Sequence, residues 1–482
     1  MRGVALAVTS GVLYFLSYPG YDLWPLTWVA FVPVIVAVRA GSTLRGFALG
    51  WLFGAVMHLG GFTWVTHMLA TFGGMPQPVA FVGYVLFCLF HGTVYGVFGA
   101  LLARLDRWPL WFAVPTAVVA AEQLVPRVFR HYTAAAQLPW LEVVQITELG
   151  GVHAVGALVG LVNGALAGLI LTRSWKPVIG AGVAVALAVG WGAARIDSID
   201  SSPDDGLVVG IAQNNRGGWD KHRHPLDSVK ELQVQSQQLA DQGAELIVWP
   251  EAAWSQPIPA DAKQMPKAVV GEAGVPMVIG ALKREDRSSP IANTAVLIDG
   301  ERRVLGSYEK RALLIFGEYL PFGEQFPVLY DLVPTSRVLR GTSTAPLALG
   351  DLSLGVFICY EAILPEVVRD IMVDPAGPPD LLVNLTNDSW YGEGPEQVQH
   401  LALSRLRAIE LRRSMVRSTN TGISALVDPV GRLTAVTENW AADTALGSVR
   451  LRDDKTLALR LGAIPGWLAL LVAIGASFWR KP

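Results

Sequence analysis

The sequence predicts a multi-span α-helical membrane domain joined to an α/β domain built as an α-β-β-α sandwich. Three observations lead there. Apolar residues make up 52% of the 482 and charged residues 16%, with a mean hydropathy of +0.39, which is unusual for a water-soluble globular chain. The apolar runs gather at both ends, while residues 204–456 have ordinary soluble composition. Within that middle stretch strand-like and helix-like patterns alternate, but several strands follow one another with no helix between, as in two stacked sheets with helices outside.

A bilayer-crossing helix takes about 20 mostly apolar residues. Seven candidates precede the soluble stretch, near 3–18, 23–40, 46–69, 78–103, 108–128, 151–172 and 176–195, and an eighth lies near 459–479. The first has the length of a signal peptide, but no small-residue cleavage site precedes the next apolar run, so it counts as an uncleaved span. The expected domains are therefore 1–203 with seven spans, 204–456 outside the bilayer, and 457–482 with the eighth span and a tail.

Orientation follows from basic residues in short loops, which stay on the cytoplasmic side. With alternating spans, Arg2, Arg39, Arg45, Arg104, Arg107, Arg173, Lys176, Arg480 and Lys481 share one side, and only Arg127 and Arg130 oppose them. Both termini are then cytoplasmic and the soluble domain faces outward, into the periplasm where there are two membranes. Arg127, Arg130 and His131, on the outer side, are candidates for lipid phosphate or for plain solvation.

In the soluble stretch "GLVVGIAQ" and "AELIVWPE" have the pattern of buried strands, separated by a helical "DSVKELQVQSQQLADQ". "VPMVIGAL", "NTAVLIDG", "RRVLGSYE", "LSLGVFIC", "LLVNLTN" and "GISALVDP" add strands, and "PEQVQHLALSRLRAIELRR" a helix.

Three predicted strand ends carry reactive groups. Cys359 follows "GVFI", Glu251 stands in "IVWPEAAW", and Lys310 in "SYEKRALLIFGEYLPFGE". Strand ends are where sites collect in layered α/β folds. Cysteine chemistry needs a nucleophile, a group to take its proton, and donors for the oxyanion formed on carbonyl attack. Cys359 would be the nucleophile and Glu251 the general base, with Lys310 and the Tyr360 backbone N–H on the oxyanion. Singly, each has an ordinary explanation: a small core residue, a helix cap, a strand-end charge. Together they point to a site.

Other classes fall away. A formal net charge of −2 gives no basic face for nucleic acid. Cys88 and Cys359 are too few for a disulfide framework. His58, His67 and His91 lie on different spans without compact metal-ligand spacing, so neither metal nor cofactor is expected. A receptor or transporter whose outer domain only binds would leave the three reactive residues unexplained.

The motifs "WPEAAW", "YEKRALLIFGEYLP" and "ICYEAILPE", in this order, resemble the nitrilase superfamily with its Glu-Lys-Cys triad. With eight flanking spans, and with "GIAQNNRGGWDKHR", "VNLTNDSWYGEGPEQVQH" and "LRAIELRRSMVRSTNTGISALVDPVG", the resemblance narrows to its apolipoprotein N-acyltransferases and covers nearly the whole chain. Ile315, where that family often has Pro, and Asn214, where it often has Gly, depart from the pattern without touching the triad. The resemblance implies a nitrilase-like catalytic domain in a multi-pass protein of the bacterial inner membrane. It implies transfer of a fatty acyl chain from a phospholipid, through a thioester on Cys359, to the N-terminal amine of a diacylglyceryl-modified apolipoprotein; a monomer is expected, on no sequence signal of its own. It further implies supporting or substrate-binding roles for Trp219, Glu318, Tyr360 and Glu361. The same triad with water as acceptor would make a membrane-anchored amidase. A thioester destined for an amine needs a water-poor setting, for which the apolar segment 312–334 is a candidate wall or lid.

Overall fold

A computed structural model describes residues 1–39, 41–203, 206–332 and 337–478. Each apolar run is helical: Arg2–Ser17, Trp24–Val38, Thr43–Gly61 followed at 66° by Trp64–Thr71, Gln77–Arg104, Leu110–Leu124, Val152–Thr172, Lys176–Asp200 and Ile464–Phe478. Gln77–Arg104, Val152–Thr172 and Lys176–Asp200 are long and apolar enough to cross a membrane, and the bent pair makes a fourth if it is one span. The other four have 10–17 residues, short against a hydrocarbon layer of about 30 Å. Arg480 and Lys481 of the charge argument lie outside the described residues.

Helices Thr43–Gly61 and Thr93–Arg104 pack backbone to backbone, because a Cβ at Gly50 would collide with the Tyr95 carbonyl. Small residues at such contacts let apolar helices approach closely.

The α/β domain has fourteen described strands: β1 Leu207–Gln213, β2 Leu246–Val248, β3 Trp254–Pro259, β4 Met277–Arg284, β5 Ile291–Ile298, β6 Val304–Glu309, β7 Val338–Leu339, β8 Leu347–Leu349, β9 Leu352–Ile358, β10 Leu381–Thr386, β11 Ser414–Thr419, β12 Ala425–Val427, β13 Leu433–Val436 and β14 Asp443–Val449. One sheet runs β14-β1-β2-β4-β5-β6, with β3 beside β4 and β7 beside β5; the other runs β13-β12-β11-β10-β9-β8. In the second, β9, β10 and β11 are mutually parallel, Val383 pairing with Val356 and Val416.

Alternation along each strand sends one set of side chains inward. Val209, Ile211 and Val248 from one sheet meet Val356, Ile358, Val383 and Leu385 from the other in a single buried cluster. The opposite faces carry helices: Val229, Leu232 and Leu239 of Pro225–Asp241 lie in one buried cluster with Ile247 and Trp249, and Pro365–Met372 and Glu396–Leu411 cover the second sheet. The α-β-β-α sandwich is the observed fold.

Polar contacts tie the helical region to the sandwich. Buried Arg412 donates to Glu148 Oε2 (2.5 Å) and Gln145 Oε1 (2.6 Å), and Arg195 spans Glu148 (3.1 Å) and Asp454 (2.7 Å). At the bend between Gly61 and Trp64, Gln399 donates to the Gly61 carbonyl and accepts from Trp64 Nε1.

Candidate active site

Glu251, Lys310 and Cys359 follow the C-terminal ends of β2, β6 and β9. Past β2 the chain turns through Pro250 and Glu251 into Ala252 at φ +47°. That turn rides on β4 so closely that a Cβ at Gly280 would collide with the Pro250 carbonyl. Cys359 itself takes φ +51° and opens the short turn Cys359–Ile363. A non-glycine residue in this region costs about 1–3 kcal/mol and persists only when its surroundings impose it.

Glu361 is part of what imposes it. Fully buried, it accepts from the backbone N–H groups of Ile358 (2.7 Å), Arg311 (2.6 Å) and Ala312 (2.8 Å) and from the Tyr308 hydroxyl (2.9 Å). It thereby clamps the cysteine turn to the segment bearing Lys310.

Lys310 is 2% exposed. Its Nζ lies 3.3 Å from Glu251 Oε1 and 2.8 Å from Glu318 Oε1. Burial opposes its charge, but the two carboxylates outweigh burial and hold the ammonium well above the ordinary lysine value. Asn293 on β5 donates to both carboxylates, at 2.6 Å to Glu251 and 3.3 Å to Glu318. Glu318 also accepts from the Leu314 N–H (2.7 Å). Burial and the Glu251 carboxylate push the Cys359 thiol up, with Lys310 opposing. The resting group is a neutral thiol that needs a base during attack.

One predicted supporting side chain reaches elsewhere. The Tyr360 hydroxyl donates to the Val128 carbonyl (2.6 Å), so this ring reaches the helical region rather than the triad. The side chain of Trp219 lies outside the described residues. Arg127 is not open to lipid phosphate: it is buried, donates to the carbonyls of Glu122 and His131, and lies over the Tyr132 ring. Arg130 pairs with Glu366 at 2.8 Å.

Asn293, Lys221, Asp388, His400 and Arg417 escaped the sequence reading. Lys221 is buried, donates to the Glu251 main-chain carbonyl (3.0 Å), and burial lowers its pKa to about 8. Behind the cysteine turn, Asp388, Glu396 and His400 bring three possible metal-ligand atoms within 4.8 Å, the one such group among the described residues. Arg417 Nη2, 3.0 Å from Asp388 Oδ2, already supplies positive charge there, which disfavours a cation.

Residues 10–165 match the family described as the apolipoprotein N-acyltransferase N-terminal domain, and residues 209–455 match the carbon-nitrogen hydrolase family. The chain is 28% identical to an apolipoprotein N-acyltransferase of Geobacter metallireducens, covering 100% of this chain and 96% of that protein. It is 29% identical to one from Pseudomonas syringae pv. tomato, covering 98% and 96%. Among solved structures, an amidase from Nesterenkonia sp. is similar at 18% identity and a TM-score of 0.38, covering 51% of this chain and 90% of that one.

Proposed function

Because the chain belongs to the carbon-nitrogen hydrolase family, and is an N-acyltransferase by its full-length relatives, we propose that it moves a fatty acyl chain from a phospholipid to the N-terminal α-amine of a diacylglyceryl-modified apolipoprotein through a thioester on Cys359. One observation carries the reading: a buried cysteine at positive φ stands beside a lysine held between two carboxylates, on a chain rich in apolar helices.

In the first half-reaction the Cys359 sulfur attacks the ester carbonyl while Glu251 takes the thiol proton. Lys310 and the Tyr360 N–H stabilise the oxyanion. Collapse breaks the ester C–O bond, and Glu251 returns the proton to the departing lysophospholipid oxygen. In the second, the amine attacks the thioester, Glu251 takes the amine proton and returns it to the departing sulfur, which leaves as thiol. Splitting the transfer replaces one hard step by two easier ones. Glu318 and Glu361 act by position, the first on Lys310, the second on the cysteine turn. The segment beside Glu318 exposes Phe316, Phe322 and Phe326, each at least 60% accessible, an apolar approach suited to acyl chains.

The proposed setting is the bacterial inner membrane, with eight spans, domains 1–203, 204–456 and 457–482, and the sandwich on the periplasmic side. Mass spectrometry tests the core of the reading. With phospholipid alone, Cys359 gains one acyl group that neutral hydroxylamine releases, and a diacylglyceryl lipopeptide with a free amine discharges it as an amide. Steady release of free fatty acid, unaffected by lipopeptide, would support hydrolysis instead.

A further inference from the structure

Buried polar side chains beneath the cysteine turn take no part in the chemistry above. Arg417 on β11 donates to Asp388 Oδ2 (3.0 Å), Asp388 Oδ1 lies 3.1 Å from His400 Nδ1, and His400 Nε2 lies 3.3 Å from the carbonyl oxygen of Cys359. Arg417 is also fixed by Asn384 Oδ1 (2.6 Å) and Ser404 Oγ (3.2 Å). Arg417, Asp388 and His400 are at most 5% exposed, and the helix Glu396–Leu411 that carries His400 lies on the second sheet.

A carbonyl oxygen and an ionised carboxylate only accept, so the contact with Cys359 requires a proton on His400 Nε2 and the contact with Asp388 a proton on Nδ1. That carbonyl belongs to the same peptide group as the Tyr360 N–H. Donation to the oxygen of a peptide polarises it and makes its N–H a stronger donor, as in any hydrogen-bonded chain. The Tyr360 N–H lies in the first turn of a short helix, where N–H groups lack an intrahelical acceptor.

We propose that His400, anchored by Asp388 and Arg417, is a positioning residue that holds the Cys359–Tyr360 peptide in its positive-φ turn and strengthens its N–H as an oxyanion donor. The inference rests on the proposed acylation of Cys359 and concerns the acyl-transfer step, not the identity of the lipid. His400 touches no reacting atom. It acts through the peptide.

Two substitutions separate this role from simple packing. In His400→Gln the amide nitrogen occupies the place of Nε2 and can still donate to Cys359. In His400→Asn it occupies the place of Nδ1, keeping the Asp388 contact and losing the other. The readout is the burst of p-nitrophenol from a p-nitrophenyl acyl ester, a probe independent of the natural donor, with the full-length protein in detergent. His400→Asn should lower the acylation kcat about 10- to 100-fold with KM within twofold, a fraction of what losing a whole oxyanion donor costs. His400→Gln should stay within about threefold of wild type. Alkylation of Cys359 by iodoacetamide, which forms no oxyanion, should be unchanged in both.

Equal losses in the two variants, or a parallel loss of alkylation, would overturn the proposal. If His400→Asn does not fold, a His400→Gln protein that folds but has lost more than tenfold in ester acylation overturns it as well. A wild-type enzyme that acylates from the ester but not from phospholipid would count against the acyl-donor reading, while the Asn and Gln contrast still decides the role of His400.

Discussion

Glu318 holds Lys310 at 2.8 Å, nearer than the 3.3 Å that separates the same ammonium from Glu251. The closer carboxylate draws the ammonium away from full pairing with Glu251. Glu318→Gln should let Lys310 settle on Glu251. Acylation kcat should then fall roughly 100-fold with KM little changed, the range expected for losing general-base function. Stopped-flow measurement of thioester formation checks this, and a change confined to KM would contradict it.

Asn293 ties the two carboxylates together from β5. Asn293→Asp would replace the donor shared by the two carboxylates with a third carboxylate that repels both, pushing Glu251 from its place beside Lys310. The Asp variant should acylate more slowly than Asn293→Ala, by roughly tenfold or more. If the two are equal, the amide serves only as filler.

The raised Cys359 thiol makes a pH prediction. The folded state keeps the proton to higher pH than the unfolded chain, so this group's stabilising contribution is complete below the ordinary thiol value of 9.0 and is lost as pH rises beyond it. Wild type should lose thermal stability between about pH 9 and 10.5 more steeply than Cys359→Ala, near and above the ordinary thiol range. Iodoacetamide alkylation should rise through the same window without reaching a plateau. A plateau below pH 8 would mean a stable resting thiolate.

Arg412, buried between the two regions on Glu148, Gln145 and the Pro429 carbonyl, should matter far more for stability than Arg130, which sits half-exposed on Glu366. Arg412→Ala leaves buried acceptors short of a donor and should cost about 3–5 kcal/mol. Arg130→Ala should cost under about 1 kcal/mol. Thermal unfolding of both variants in detergent gives the comparison.

The sandwich was legible where strands were apolar. "GLVVGIAQ" and "LSLGVFIC" became β1 and β9 because two-sided burial leaves an unbroken apolar run. β11 escaped for the opposite reason: Arg417, Ser418 and Thr419 are completely buried yet polar, because Asp388, Val248, Gln213 and Ser424 supply their partners from other elements. A sequence displays polarity but not the partner that permits its burial. The same limit hid Asn293 and His400, whose roles depend on residues 42 and 41 positions away. Tyr360 was named beside the nucleophile, yet its hydroxyl reaches Val128, 232 residues distant.

The helix Lys176–Asp200 runs unbroken for 25 residues, about 38 Å at 1.5 Å per residue, against a hydrocarbon layer of about 30 Å. Its last turns carry Arg195 on Glu148 and Asp454, Ile199 accepting from Arg450, and Asp200 on Arg432. Such a rod transmits angle as well as height. Deleting one residue before Arg195 would swing every later contact by about 100° around the axis and lower it by about 1.5 Å, so the helical phase of this segment helps set the bearing of the sandwich against the helical region.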